Sequence, residues 1–258
     1  MASPLTRVAT VSAGGLAAGM TLLAGQVMWV ATRPLPGFDG HDASGVEGAA
    51  HLPVLRLVVL GDSTCTGPGL DSPEDIWVRG LARRLSSQFQ VDVRSLATGG
   101  SKAADVLRDQ LGEAVRLRPD VALVSVGGND ALHGVRPRAF RRQLDEIVGG
   151  LCETSRLVVL SGVGDLGSIP RLPRPLADLA RTRGREMNRI HFAVGAAHGA
   201  VVADQWRWSV KEFQHRPELF VGDQFHASPS GHAIWAELAY EALAPHIPQL
   251  LLSPDPES

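Results

Sequence analysis

Two separated stretches of this chain carry a hydroxyl, a carboxylate and an imidazole at spacings that could act together. The apolar run Val54-Leu55-Arg56-Leu57-Val58-Val59-Leu60 stops at Gly61-Asp62-Ser63. A serine on the turn leaving a buried strand holds its hydroxyl at the open edge of a sheet, which makes Ser63 a candidate nucleophile; the same tripeptide is also ordinary turn composition. A serine hydroxyl needs a base, and the base needs a group to orient it. Near the carboxyl end, Asp223-Gln224-Phe225-His226 supplies both. If that segment turns, the three-residue offset brings Asp223 to the His226 ring, fixes one tautomer and leaves the other nitrogen to take the Ser63 proton. Asp130-Ala131-Leu132-His133 repeats the offset, so the spacing alone is not diagnostic.

These residues need a frame. Apolar runs predict strands at Val54 to Leu60, Val91 to Ser95, Val121 to Val126, Leu157 to Ser161 and Val201 to Ala203. Helical patterns separate them. Ser72-Pro73-Glu74-Asp75 reads as an N-cap followed by proline at the first helical position, after which Trp77, Leu81 and Leu85 recur every fourth residue. Val106, Leu107, Leu111, Ala114 and Val115 mark a second helix, and Phe140, Leu144, Ile147, Val148 and Leu151 a third. A fourth spans Leu176 to Ala197, and Ser228 caps a last one carrying Ile234, Trp235, Leu238 and Ala239. Strands alternating with helices imply right-handed crossovers and a parallel sheet covered on both faces. Every strand then ends along one edge, where ligands bind.

That edge should also supply groups suited to an oxyanion. The second strand runs into Ala97-Thr98-Gly99-Gly100-Ser101, where glycine lets a backbone N–H approach a substrate. The third runs into Val126-Gly127-Gly128-Asn129-Asp130, which places an amide side chain at the edge. The inventory of donors is the N–H of Ser63, the N–H of Gly100 and the side chain of Asn129. Asp62 and Asp130 adjoin these positions and read as structural carboxylates bonded to loop N–H groups. Thr64 and Thr66 read as turn residues, and His133 as a loop residue bordering the pocket.

In these four blocks and their order, over roughly residues 54 to 245, the chain resembles the SGNH hydrolases, also called the GDSL esterase/lipase family. Ser63 matches the family's nucleophile, Gly100 and Asn129 its oxyanion-hole residues, and Asp223 with His226 the rest of its triad. The family's asparagine a few residues before the block glycine is replaced by Ser95-Leu96, leaving Gly99 and Gly100 as candidates. The spacing to Lys102 and Asp105 selects Gly100. The proline that often follows the histidine directly is displaced to Pro229. No Gly-x-Ser-x-Gly elbow occurs, so the chain is not an ordinary α/β-hydrolase. The resemblance implies a flavodoxin-like three-layer α/β/α sandwich with a five-stranded parallel sheet. It also implies cleavage of an acyl ester of a small molecule, lipid or glycan through an acyl-enzyme, with neither metal nor organic cofactor. An acyltransferase or glycan deacetylase would use the same intermediate, and a non-catalytic binding domain would keep only the fold.

Composition bounds the rest. The chain has 258 residues, 44% hydrophobic and 20% charged, enough for one α/β domain, and its net charge of -2 offers nothing to nucleic acid. All but two of its basic residues, Lys102 and Lys211, are arginine, in keeping with a biased base composition. Cys65 and Cys152 form no zinc-spaced cluster, and they should lie at opposite edges of the sheet, too far apart to pair. Cys65 reads as a small wall residue. From Val8 to Thr32 there is no charge, and this hydrophobic helix is read as a single membrane anchor (domain 1–32), with a cleaved secretory signal as the alternative. The catalytic domain is expected outside the cytoplasm, although Arg7 before the run and Arg33 after it leave the orientation of an anchor open. Within it, Gly15 and Gly19 have the spacing of a helix-pairing pattern. A flexible spacer at 33–52, the hydrolase domain at 53–248 and a tail at 249–258 follow. The proline-rich stretch Gly162 to Pro175 either shapes an acyl pocket or merely connects, and Trp206 and Trp208 are divided between pocket and core.

Overall fold

In the computed structural model, which describes residues 18–30, 32–33 and 40–252, the apolar runs become the strands of one sheet. The strands are β1 (Gly45–Glu47), β2 (Val54–Gly61), β3 (Gln90–Ser95), β4 (Val121–Ser125), β5 (Leu157–Ser161) and β6 (Val201–Ala203), in the spatial order β1-β3-β2-β4-β5-β6. All pair in parallel except β1, which runs antiparallel to β3. Leaving β1 aside, the order is the flavodoxin-like 2-1-3-4-5, whose switch point lies between the strands labelled β2 and β4 here.

Period-two alternation divides the apolar residues between two helical layers. Leu57 and Val59 face the helices Trp77–Leu85 and Pro229–Leu243, packing in one cluster with Trp77, Leu81, Leu85, Ala236, Ala239 and Leu243. Val58 and Leu60 face the other side, with Phe140, Leu144, Ile147 and Val148 of Pro137–Cys152 and Met187 and Val194 of Leu176–His198. Burial on both faces is why β2, β4 and β5 read as unbroken apolar runs rather than alternating ones.

The sheet has six strands where five were expected. The sixth lies in the stretch read as a flexible spacer. Ala43 is fully buried, the Ser95 N–H donates to Ser44 Oγ at 3.0 Å, and Glu47 pairs with the buried Arg79 at 2.6 Å. Three residues that begin with a glycine and are followed by another carry too little periodicity to show as a strand, so tertiary pairing decides their conformation. At the other end the helix Ile247–Leu252 continues the fold past residue 248: Leu250 is buried, and the carbonyls of Gln249 and Leu250 accept from Arg156. Ser72 caps a 3-10 turn, Pro73–Asp75, and the α-helix begins only at Trp77.

Residues 18–30 are helical, and among the described residues no helix is long and apolar enough to cross a membrane. The earlier part of the uncharged stretch, with the Gly15 of the pairing pattern, lies outside the described residues. Cys65 is buried and Cys152 exposed, both as free thiols.

Trp77 links the core to the site. Its side chain is fully buried, its ring N–H donates to the Thr64 carbonyl at 2.9 Å, and its backbone N–H donates to His232 Nδ1 at 3.2 Å. Trp77→Ala should lower unfolding free energy by about 3–5 kcal/mol, the range for large aromatic truncations in cores, as a lower urea midpoint at unchanged slope.

Candidate active site

The site grows from the backbone at the end of β2. A Cβ on Gly61 would run into the Ser125 carbonyl oxygen, so only glycine lets β2 lie this close to β4 here. Gln110 grips Gly61 on both sides: Gly61 N–H donates to Gln110 Oε1 at 2.8 Å, and Gln110 Nε2 donates to the Gly61 carbonyl at 3.0 Å. Gln110 ends a π-helical turn, Val106–Gln110, a distortion that often marks functional positions. The chain then enters the short helix Ser63–Thr66, with Asp62 as its N-cap.

Asp62 Oδ1 accepts from the Thr64 N–H at 3.0 Å and the Thr64 hydroxyl at 2.9 Å, the structural role expected of it. Its other oxygen accepts from Asn129 Nδ2 at 3.3 Å, while the same amide donates to the Ser101 carbonyl at 3.1 Å. The Ser63 turn, the second-strand loop and the third-strand loop are thereby tied through one side chain. Burial pushes the Asp62 carboxyl up to about 6; the bonds from Thr64 oppose this, and the nearby Asp130 charge adds to it. Asp130 is fully buried and caps the next loop, accepting from the Ala103 N–H at 3.1 Å, and burial raises it also to about 6.

The segment from Val221 to His226 does form the turn its spacing required. Val221 N–H donates to the His226 carbonyl at 2.8 Å, and Gln224 N–H donates to the Val221 carbonyl at 2.8 Å. His226 Nδ1 and Asp223 Oδ2 lie 2.6 Å apart, and Asp223 Oδ1 accepts from the N–H groups of Phe225 and His226 at 2.8 and 3.0 Å. Burial alone would raise the Asp223 carboxyl, but the bonds from His226 and Phe225 outweigh it and hold the group below the usual carboxylate range. Asp223 thus stays ionised behind the ring.

Ser63, Asn129 and His226 line one pocket, with Asp223 behind His226. Gly100 is the third residue of a turn closed by Ser101 N–H to the Thr98 carbonyl at 3.2 Å, and its φ of 79° suits glycine. It does not itself line the pocket; its loop reaches the site through the Ser101 carbonyl that holds Asn129. The pocket's apolar wall includes Trp77, Leu132, Ile169, Phe213, Phe220, Phe225 and Trp235. The proline-rich stretch contributes Gly162 to Leu166, Ser168 and Ile169, so it shapes the cavity. His133 instead bonds the Asn129 carbonyl at 2.8 Å and leaves the pocket lining to its neighbour Leu132. Trp206 and Trp208 are half-buried outside both pocket and core. Burial pushes the Cys65 thiol up to about 12, which leaves it no nucleophile.

Three participants escaped the sequence reading. Gln110 sits on the apolar face of its helix beside Leu107 and Leu111, and a polar residue on that face was the available signal. His232 lines the pocket with Nδ1 accepting from Trp77; burial first, and then the nearby His226, lower it to about 3, so it stays neutral. Arg171 holds the Asp223 carbonyl at 3.3 Å, and nothing local in the sequence marks it.

Asp62→Asn tests the carboxylate junction. An asparagine can still accept from Thr64, but its amide would meet that of Asn129 donor to donor, so kcat should fall by roughly 10-fold or more with KM little changed. The pH dependence of stability should change as well. A folded carboxyl near 6, above its ordinary 3.8, contributes stability in full below 3.8 and loses it as pH rises through 6. The wild type should therefore lose stability between pH 4 and 7, and Asp62→Asn should flatten that slope in urea titrations.

Comparison with known proteins agrees with this architecture. Residues 59–234 match the model of the GDSL-like lipase/acylhydrolase family. The GDSL-like esterase Rv1075c of Mycobacterium tuberculosis is 32% identical over 92% of this chain and 82% of its own. The solved structure of TesA superposes with a TM-score of 0.62 at 22% identity, covering 74% of this chain and 98% of that one. A lipase/acylhydrolase from Enterococcus faecalis does so with a TM-score of 0.61 at 24% identity, covering 74% and 96%. With its fold and its strand-end loops in this pattern, the chain belongs to the GDSL-like lipase/acylhydrolase family of SGNH hydrolases and is a hydrolase acting on ester bonds.

Proposed function

We propose that Ser63 is the nucleophile of an esterase that passes through an acyl-enzyme. The observation that carries this reading is the 2.6 Å pairing of His226 with Asp223 on a pocket also lined by Ser63 and Asn129. With Asp223 holding the Nδ1 proton, His226 Nε2 takes the Ser63 proton as Oγ attacks the acyl carbonyl. The tetrahedral anion is met by the N–H of Ser63 and by Asn129 Nδ2, which gives up its longer bond, the one to Asp62, while Gly100, off the pocket lining, contributes through its turn, whose Ser101 carbonyl positions Asn129. His226 then protonates the departing alcohol, and water releases the acyl group by the same steps. Neutral His232 adds no second charge beside the imidazolium formed in the reaction.

The aromatic and aliphatic wall favours esters with an aliphatic chain, and the uncharged stretch at 8–32 favours action outside the cytoplasm at a membrane. Each added methylene that enters the pocket is worth up to ~4-fold in kcat/KM, so p-nitrophenyl octanoate should exceed the acetate. Ser63→Ala and His226→Ala should each lower kcat by about 10³-fold or more, and Asn129→Ala by ~10²-fold, in variants that still unfold cooperatively. Hydrolysis by folded Ser63→Ala at the wild-type rate would remove Ser63 from the mechanism.

A further inference from the structure

The helical segment 18–30 does not stand away from the domain. Gly19, Leu23, Gln26 and Val30 are its half-buried positions, spaced by four, three and four residues and therefore on one face. Gln26 grips the proline-rich loop through both ends of its amide, Nε2 donating to the Arg174 carbonyl at 2.6 Å and Oε1 accepting from the Leu176 N–H at 3.1 Å. Val30 packs into the cluster built on Ile169 and Leu172, which also holds Leu132, Phe220 and Phe225. Of these, Ile169, Leu132, Phe220 and Phe225 line the catalytic pocket, so the helix adjoins the pocket's own wall. The buried Arg171 joins the two: it donates to the carbonyls of Val30 and Arg33 at 3.3 and 2.8 Å and to the Asp223 carbonyl at 3.3 Å.

The rest of the helix has the wrong chemistry for water. Met20, Leu22, Val27, Met28 and Trp29 are 67%, 52%, 52%, 64% and 46% exposed, and no charge occurs from Val8 to Thr32. A surface helix in water carries charged residues on its outer face. At the helix end the Arg33 guanidinium lies 4.1 Å from the centroid of the Trp29 ring, the pairing of aromatic and cation found at the depth of lipid headgroups.

We propose that this helix lies in the plane of a membrane surface, rather than spanning it, and sets the pocket mouth against the lipid so that acyl esters enter from the bilayer. A span over 8–32 would carry Gln26, about 10 Å along the helix from Arg33, into the hydrocarbon together with the Arg171–Arg174 loop it is bonded to. In the interfacial pose the catalytic domain takes the place of a polar helix face. The exposed side chains surround most of the helix circumference, more than the one side that a second protein copy would cover, and a lipid surface fits them better. Entry from the bilayer rests on the esterase reading above; membrane attachment does not.

Full-length protein floated with phosphatidylcholine/phosphatidylglycerol vesicles tests this. The wild type should float, and alkaline carbonate should release it. Val27→Asp/Met28→Asp should bind at least ~10-fold less, hydrolyse a soluble acetate ester at the wild-type rate, and lose turnover of a long-chain ester held in the vesicles. Wild type that does not float, wild type that resists carbonate, a variant that floats equally, or a wild-type dimer that the variant dissociates would each overturn the proposal. Absence of soluble-ester turnover in the wild type would count against Ser63 chemistry while leaving the flotation result intact.

Discussion

The register of four parallel strand ends is the constraint on which this site depends. Gly61 pairs with Ser125, Ser125 with Ser161, and Ser161 with Ala203, so β2, β4, β5 and β6 stop at one level. The chain therefore leaves the sheet four times along a single line, into the Ser63 turn, the Asn129 helix, the pocket-forming loop and the Gln205–Glu212 helix. Both faces of the sheet are packed, so a slip by one residue would turn Val58 and Leu60 toward the layer built for Leu57 and Val59. The hydrophobic effect thereby fixes polar geometry. No polar contact in the site could supply that alignment, because each is worth only about 1 kcal/mol net.

Polar groups then refine what the register places. Gln110 holds the Gly61 backbone from one side, and Asp62 holds Asn129 from the other. Asp62 and Asp223 are both carboxylates in this site, and their environments drive them apart. Asp62 loses more to burial than its bonds return and is raised, whereas Asp223 gains enough from the His226 ring and two N–H groups to stay ionised. One carboxylate serves as a joint between loops and the other as the fixed charge behind the imidazole. The neutral His232 completes this division, its Nδ1 accepting from the Trp77 backbone N–H at the pocket lining.

Much of this was legible in the residues, for identifiable reasons. The central strands are uniform apolar runs, and their ends carry short polar blocks whose chemistry is local: Gly61-Asp62-Ser63, Gly99-Gly100, Gly128-Asn129 and Asp223 to His226. The turn from Asp223 to His226 was readable only beside the other blocks, because the same offset from Asp130 to His133 leads to separate partners, the Ala103 N–H and the Asn129 carbonyl. What stayed hidden depends on distant pairing. β1 is three residues long and owes its conformation to β3, Ser95 and Arg79. Gln110 reaches Gly61 across 49 positions of sequence, and Arg171 reaches Val30 across 141. The uncharged stretch near the amino end read as a freestanding span because composition carries no record of what a helix docks on; Gln26 was its one sign of a partner.

Serine reactivity is the point at which this account is most exposed. A fluorophosphonate reacts with a serine only where a base removes its proton and donors receive the developing oxyanion, so it reads nucleophile, histidine and oxyanion hole together. Mass mapping of the labelled full-length protein should place one adduct on Ser63, with none after His226→Ala. An adduct at another residue, or a folded and hydrolytically active protein left unlabelled, would contradict it.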